Sequence, residues 1–399
     1  MADYRYLCAN LVTNQIIAEL PFTGVSYSQE LNSAGAFSGH ILLTDIREVD
    51  LPIDAATTPS SVALYVERNG VLVWGGIIWS RTYDSQSQAL VIGAREFESY
   101  YEHRVLQFGA KTGTQPRVYD YTGAWTYNTD IFTVVQNCLT AVHNWQLPNS
   151  DIGITVPSNT LGQTVGDVAT QYGYKIQDFE FRPVMDVLRA LSQQTNGQGG
   201  FDFNIDVAYA AGGTITKTME LTARRGTVWS STSTTAPMLE FPGNMVAYSY
   251  PEDGTSVANV TYGQGDGGSG GIWYNNPTFS GFTGLKSVSS KLTANMPLLE
   301  RVVPVVNERN PNVVASLTQA AVEAWIYPIT TLTCTWDSID DPQIGTFKTG
   351  DQFRIRITDE RFPNTNEFIY RLSKFEVEAG ENNPERIIAT FVNPLAFGL

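Results

Sequence analysis

The chain has 399 residues, 42% of them hydrophobic and 12% aromatic, enough for about two to four domains with a sizeable core and a lean toward strands. Its formal net charge of −15 divides into −6 over residues 1–105, −5 over 106–300 and −4 over 301–399, so the acidity is spread and is not an acidic tail. That balance argues against a DNA sequence reader or an anionic-membrane binder, both of which are usually basic.

Cys8, Cys138 and Cys334 are odd in number and far apart, so neither a disulfide framework nor a zinc pair is expected. They read as buried free thiols of a protein made in a reducing cytoplasm. The start, MADYRYLCANLVTNQ, lacks the basic-then-apolar pattern of a signal peptide. No run of ~18 apolar residues predicts a transmembrane helix.

Residues 1–105 read as nearly all β. SGHILLTD puts Ile41 and Leu43 on one strand face. VALYVERNGVLVW is a hairpin: Val62, Leu64 and Val66 alternate, Asn69-Gly70 supplies a type I′ turn, and Val71 and Val73 leave it. The second strand carries Trp74 and then Gly75-Gly76, which predicts a bend or a close backbone approach. A small closed barrel with a strand that curves at these glycines is the expectation.

Residues 106–235 are mixed. NTDIFTVVQNCLTAVHNW has apolar residues at Ile131, Val135, Leu139 and Val142, the spacing of a helix capped by Thr129 or Asp130. RPVMDVLRALSQQTNG is a second helix, with Pro183 at its first turn and Asn196-Gly197 as its stop. FDFNIDVAY and ITKTMELTA form a strand pair, and 227–237 is a boundary loop. Residues 238–262 return to β character, followed by the glycine-rich GQGDGGSGG. A third helix has Asn310 as cap, Pro311 in its first turn and Pro328 beyond its end. Four further β-runs, TLTCTW, QFRIRITD, EFIYRLSKFEVEAG and RIIATFV, suggest a second antiparallel barrel.

Motifs that carry chemistry fail on context. Gly263, Gly265 and Gly268 fit the dinucleotide pattern, but no helix begins inside the loop. Gly267–Gly271 fits a nucleophile elbow around Ser269, in a low-complexity setting. Asp202, Asn204 and Asp206 mimic a calcium loop, but Val207 stands where glycine is required. A strand with one wet face explains them better. His40, His103 and His143 lack ligand spacing. Glu96 and Glu98 are expected on a solvated strand face. No catalytic, cofactor-binding or metal residue is assigned, and no enzymatic role is expected. The six basic residues of 1–105 are all arginine (Arg5, Arg47, Arg68, Arg81, Arg95, Arg104). With Trp74, Trp79, Tyr100 and Tyr101 nearby, they suit subunit contacts or, alternatively, chance plus core aromatics.

Three stretches together resemble minor tail proteins of long-tailed phages of actinobacterial hosts: ELPFTGVSYSQELNSAGAFSGHILL, FPGNMVAYSYPEDGTSVANVTYGQGDG and TGDQFRIRITDERFPNTNEFIYRLSKFEVEAG. Their order matches, and the likeness covers most of the chain except about 106–235. The resemblance implies a baseplate, tail-tip hub: two tube-like antiparallel β-barrels joined by smaller α+β domains, mainly β, assembled as a homotrimer that continues the tail tube. It implies a first barrel at 1–105, an α+β domain at 106–237, a discontinuous second barrel at 238–262 and 328–399, and an insert at 263–327 with the glycine-rich loop and a helix. It implies a virion tail-tip location after assembly in the host cytoplasm. The implied partners are a distal tail protein, a tape measure protein and other tip proteins, with phage DNA in transit and the host envelope at infection. Because the chain stops at Leu399, soon after the second barrel, no appended cell-wall-degrading domain is expected. The rival readings are a carbohydrate-binding adhesin, from the abundant Trp and Tyr, and a cell-wall hydrolase.

Overall fold

The Asn69-Gly70 turn takes φ of 51° and 81°, the left-handed pair that a type I′ hairpin needs. It joins two strands of a computed structural model that describes residues 2–43, 51–106, 129–144, 148–164, 166–167, 172–173, 181–192, 200–229, 236–264, 286–290, 292–304, 311–326, 328–379 and 384–393. The N-terminal elements are β1 (Tyr4–Asn10), β2 (Ile16–Glu19), β3 (Thr23–Glu30), β4 (Ala36–Leu42), α1 (Ile53–Ala56), β5 (Val62–Arg68), β6 (Val71–Asp84) and β7 (Ala89–Glu96). The strands lie in the order β2-β1-β5-β6-β7-β4-β3, all antiparallel. The sheet curls so that its inner aromatics meet. Tyr6 lies 5.5 Å from Phe22 and 6.3 Å from Phe37, and Phe37 lies 5.6 Å from Trp74.

The glycines of β6 serve close approach. A Cβ on Gly75 would stand 2.8 Å from Val207 and 2.9 Å from Tyr65, and one on Gly76 would collide with the Arg95 carbonyl. The bending expected there occurs beside them. The register of β6 slips against β5 between Val66 and Glu67, and against β7 between Ile78 and Ser80. An extra unpaired residue bends a strand and increases its twist.

A 3₁₀ helix (Phe97–Glu102) leads from β7 into the α+β unit. This contains α2 (Ile131–His143), β8 (Ile154–Thr155), β9 (Gly166–Asp167), β10 (Tyr172–Gly173), α3 (Val184–Ser192), β11 (Asp202–Tyr209) and β12 (Ile215–Thr222). The Asp130 carboxylate caps α2 by accepting from the Phe132 and Thr133 N–H groups. Asn196-Gly197 lies outside the described residues. Leu139, Leu188, Phe203 and Met219 pack with Leu7, Tyr65 and Ile77, so this unit covers the outer wall of the first barrel.

The remaining elements are β13 (Met238–Phe241), β14 (Met245–Ser249), β15 (Glu252–Asp253), β16 (Val260–Gln264), β17 (Lys286–Val288), β18 (Glu300–Pro304), α4 (Pro311–Trp325), β19 (Ile329–Asp337), β20 (Gln352–Ile357), β21 (Asn366–Glu378) and β22 (Arg386–Val392). The second barrel runs β14-β19-β22-β21-β20-β13, with β13 parallel to β20 and β15 on β19. Its interior is aromatic: Phe347 lies 5.2 Å from Phe375 and 5.8 Å from Trp336, and Phe353 lies 5.0 Å from Phe391. Strand pairing divides the 238–262 segment. Residues 238–253 join the barrel, whereas β16 pairs with β17 and β18 in a small sheet under α4.

Strand β21 joins the barrels. Gln352–Ile357 pair along Asn366–Arg371, and beyond a register slip after Leu372, residues Lys374–Glu378 pair with Ser26–Glu30 of β3. One 14-stranded sheet and one hydrophobic core therefore run through both barrels. The fold is mainly antiparallel β, with two curled barrels and smaller α+β parts.

Candidate functional site: the charged joint between the barrels

Where the first barrel, the α+β unit and the second barrel meet, the structure buries charge. The segment after β12 turns at Gly226, with φ +86°, against Gly350, with φ +96°. A Cβ on Gly226 would collide with the Gly350 and Asp351 backbone, and one on Gly350 with the Arg225 carbonyl. Two left-handed glycines thus let two loops touch backbone to backbone. Around them the Thr227 N–H donates to Asp351 Oδ1 (2.6 Å), the Gln352 N–H to the Thr227 carbonyl (2.9 Å) and the Trp229 N–H to Gln352 Oε1 (2.8 Å).

Arg371 on β21 is the centre of the joint. Its guanidinium donates to Asp202 of β11, to the Arg225 carbonyl (3.1 Å) and to the Gly350 carbonyl (3.1 Å). Asp202 also accepts from the Arg225 N–H at 2.6 Å. The Arg225 side chain pairs with Asp206 (2.7 Å) and Glu220, and Lys348 reaches Glu220 at 3.4 Å. Burial works to raise the Asp206 carboxyl, but Arg225 outweighs it and leaves it below the usual range. Burial holds Glu220 above that range.

Glu96 and Glu98 belong to this joint, which corrects their expected solvated face. Both are buried. The strand ends at Glu96 and the chain turns into the 3₁₀ helix, so a strand parity does not extend to Glu98. Glu96 Oε2 accepts from the Gly35 N–H at 2.7 Å. Burial, then the neighbouring Glu98 charge, pushes the Glu96 carboxyl well above the usual range. The wet face expected for Asp202, Asn204 and Asp206 is likewise corrected. They do lie on a strand, but only Asp206 keeps a half-exposed side chain, beside Arg225; Asp202, closed over by Arg371, is 6% exposed and Asn204 1%.

The other singled-out residues lie elsewhere. His40 is half-buried on β4, and the His103 ring lies tilted against Trp79, 4.3 Å between centroids. His143, buried beside Tyr101, accepts or donates at 3.0 Å to its hydroxyl, and burial lowers its pKa. Among the described residues no group of three or more His, Cys, Asp or Glu is placed to hold a metal. Gly263 lies in β16. Gly265, Gly268 and Ser269 fall outside the described residues, as do Arg47 and Asn310. Cys8, Cys138 and Cys334 are buried free thiols.

The described arginines of 1–105 are engaged within the chain. Arg5 pairs with Glu19 and Glu67, Arg81 with Asp54, and Arg95 with Glu102. Arg104 donates to the Ser150 and Val142 carbonyls. Arg68 makes a fork to Glu385 with both bonds at 2.7 Å, a second tie between the barrels. Trp74, Trp79, Tyr100 and Tyr101 pack or hydrogen-bond inside the chain as well.

No protein-family model and no curated protein matches the sequence. Solved structures do match the fold. A tail protein from Neisseria meningitidis aligns with a TM-score of 0.58 at 11% identity, over 99% of this chain and 98% of that one. The 43 kDa tail protein of prophage MuSo2 from Shewanella oneidensis aligns with a TM-score of 0.57 at 13% identity, over 99% of both chains. The double-barrel architecture, with its α+β parts, is thus similar to that of phage tail proteins over nearly the whole length.

Proposed function

We propose that the chain is a structural virion protein, a trimeric tail-tip hub that continues and caps the tail tube, anchors other tip proteins and lets DNA pass. The observation that carries this reading is β21, which pairs with β20 in one barrel and β3 in the other and so fixes two barrels as one body. Three such bodies present six barrels around an axis, the arrangement needed to prolong a hexameric tube. The full-length similarity to tail proteins supports it, as do the stretches that resemble minor tail proteins of long-tailed phages of actinobacterial hosts. Within this reading, 1–105 and the 238–253 and 328–399 segments are the two tube-like units, 106–237 supports the first, and the small sheet of β16, β17 and β18 under α4 is an insert on the second.

A channel for DNA must not hold it. Lys and Arg on phosphates release counterions and give affinity for any sequence. The net charge of −15 per chain, tripled in a trimer, suits an acidic wall. The described arginines of 1–105 are committed to carboxylates or carbonyls of the same chain. An electron-microscopy map of the particle tests the reading. The expected result is three copies around the tube axis with an acidic lumen. A single copy beside the tail, or a lumen lined by Arg and Lys, overturns it.

A further inference from the structure

Among the described residues, strand β11 is an edge of the three-stranded sheet β11-β12-β8. Exposed strand edges are normally blunted or covered, because their free N–H groups invite other strands. Here the first barrel covers the edge with side chains. The Phe203 N–H donates to Asn32 Oδ1 at 2.8 Å, and the Ile205 N–H donates to Glu98 Oε1 at 2.5 Å. Glu98 is fully buried, and its second oxygen has no hydrogen-bond partner among the described residues. The neighbouring Asn204 amide, 1% exposed, has none either. An ionised carboxylate with a bare oxygen is costly in such a place, and a neutral carboxyl costs far less.

We propose that Glu98 is a proton-controlled latch at this joint: protonated, it holds the edge of β11 on the first barrel, and losing the proton loosens that edge. The charged groups around it are identifiable on every packed element. Glu96 on β7 and Asp206 on β11 oppose a second negative charge. Arg225 favours one, but it is already paired with Asp206 and Glu220. Lys217 on β12 sits over the adjacent Phe97 ring at 5.1 Å, and Arg189 on α3 is engaged by Glu102. Burial, the largest influence, raises the Glu98 carboxyl to about 7. A proton bound more tightly in the folded than in the unfolded chain stabilises below the ordinary carboxylate range. That contribution is lost as pH rises through about 7. None of this depends on the tail-tip reading.

Hydrogen exchange of the full chain, corrected for the intrinsic chemical rate, tests it on wild type and Glu98→Gln. The amide keeps an acceptor for the Ile205 N–H but cannot ionise. Wild-type opening across residues 203–207 should rise on the order of tenfold or more between about pH 5.5 and about pH 8.5, while Glu98→Gln stays flat. An equal rise in the variant, or no rise in wild type, overturns the proposal. Should the variant not fold, the wild-type Glu98 carboxyl carbon, titrated by NMR, decides. A midpoint near 7 supports the latch, and one in the ordinary carboxylate range overturns it.

Discussion

In the first barrel, β5 buries every side chain from Val62 to Glu67, whereas β22 in the second barrel alternates exposed or half-buried Arg386, Ile388 and Thr390 with buried Ile387, Ala389 and Phe391. The two walls are built of similar antiparallel strands. They differ in what lies outside them. The α+β unit packs Phe203, Met219 and Leu139 on the outer face of β1, β5 and β6, so Ala63, Tyr65 and Ile77 are as buried as Val62, Leu64 and Ile78. The outer face of the second barrel carries ions instead, with Arg354 and Arg356 on Glu367 at 3.0 and 2.9 Å. A continuous apolar run marks a wall covered on both sides, and alternation marks one covered on a single side. The first barrel is therefore anchored inside the chain, while the second keeps a polar wall turned outward.

Outward-facing truncations should break the symmetry between barrels most sharply. Tyr65→Ala removes a fully buried ring that packs on Phe97 at 5.7 Å and whose hydroxyl donates to Asn14. It should cost ~3–5 kcal/mol in urea unfolding. Thr335→Ala, at a half-buried outer position of β19, should stay within ~0.5 kcal/mol. Similar losses at the two sites would mean that the outer wall of the first barrel is not truly covered.

The joint should respond next. Asp202→Ala leaves Arg371 buried without its carboxylate and removes an acceptor from the Arg225 N–H. Breaking one half of a buried pair costs ~3 kcal/mol or more. Because Asp202 belongs to the α+β unit and Arg371 to the second barrel, limited proteolysis should then separate cleavage of the two parts. Unchanged stability and an unchanged digest would refute the joint.

The barrel strands were legible because their signals are local. The set Val62, Leu64 and Val66 located β5, although Ala63 and Tyr65 between them are buried too, Asn69-Gly70 set the hairpin, and the four C-terminal β-runs are β19 to β22. Asp130 at the start of α2 and Pro311 at the start of α4 were readable for the same reason. The joint was not. Asp202 is 169 residues from Arg371, and nothing in FDFNID says that an arginine will close over it. The available hint was that both residue sets of that stretch alternate, apolar and polar, while Arg224-Arg225 follow shortly after. Gly75-Gly76 signalled a constraint, but only the packed Val207 showed that it was approach rather than curvature.

The covered wall of the first barrel also traps Lys217. The residue is 2% exposed, donates at 3.4 Å to the Leu11 carbonyl and lies over Phe97. Burial lowers its pKa to about 8, below an unfolded value of 10.5. The folded state therefore disfavours the charge. The cost is full below about 8 and fades as pH rises toward 10.5. Lys217→Met should gain on the order of 1–3 kcal/mol at neutral pH, and less near pH 10. A loss at neutral pH would show that the cation on Phe97 outweighs the desolvation.

The smallest effect should come from the second tie between the barrels. Arg68 is 14% exposed and Glu385 8%, and their two bonds of 2.7 Å form a planar fork. Burial alone would raise the Glu385 carboxyl, but the Arg68 bond and charge hold it low. Its contribution is thus present above the ordinary carboxylate range and is lost as pH falls through the depressed value. Arg68→Lys keeps the charge but loses the second parallel bond, since an ammonium is a point donor. The joint of β3 on β21 stays intact, with its backbone ladder from Ser26 to Glu30. The variant should therefore lose about 1 kcal/mol or less, and the loss should shrink in acid. A loss as large as that of Asp202→Ala would make the fork, rather than the shared strand, the element that keeps the barrels in register.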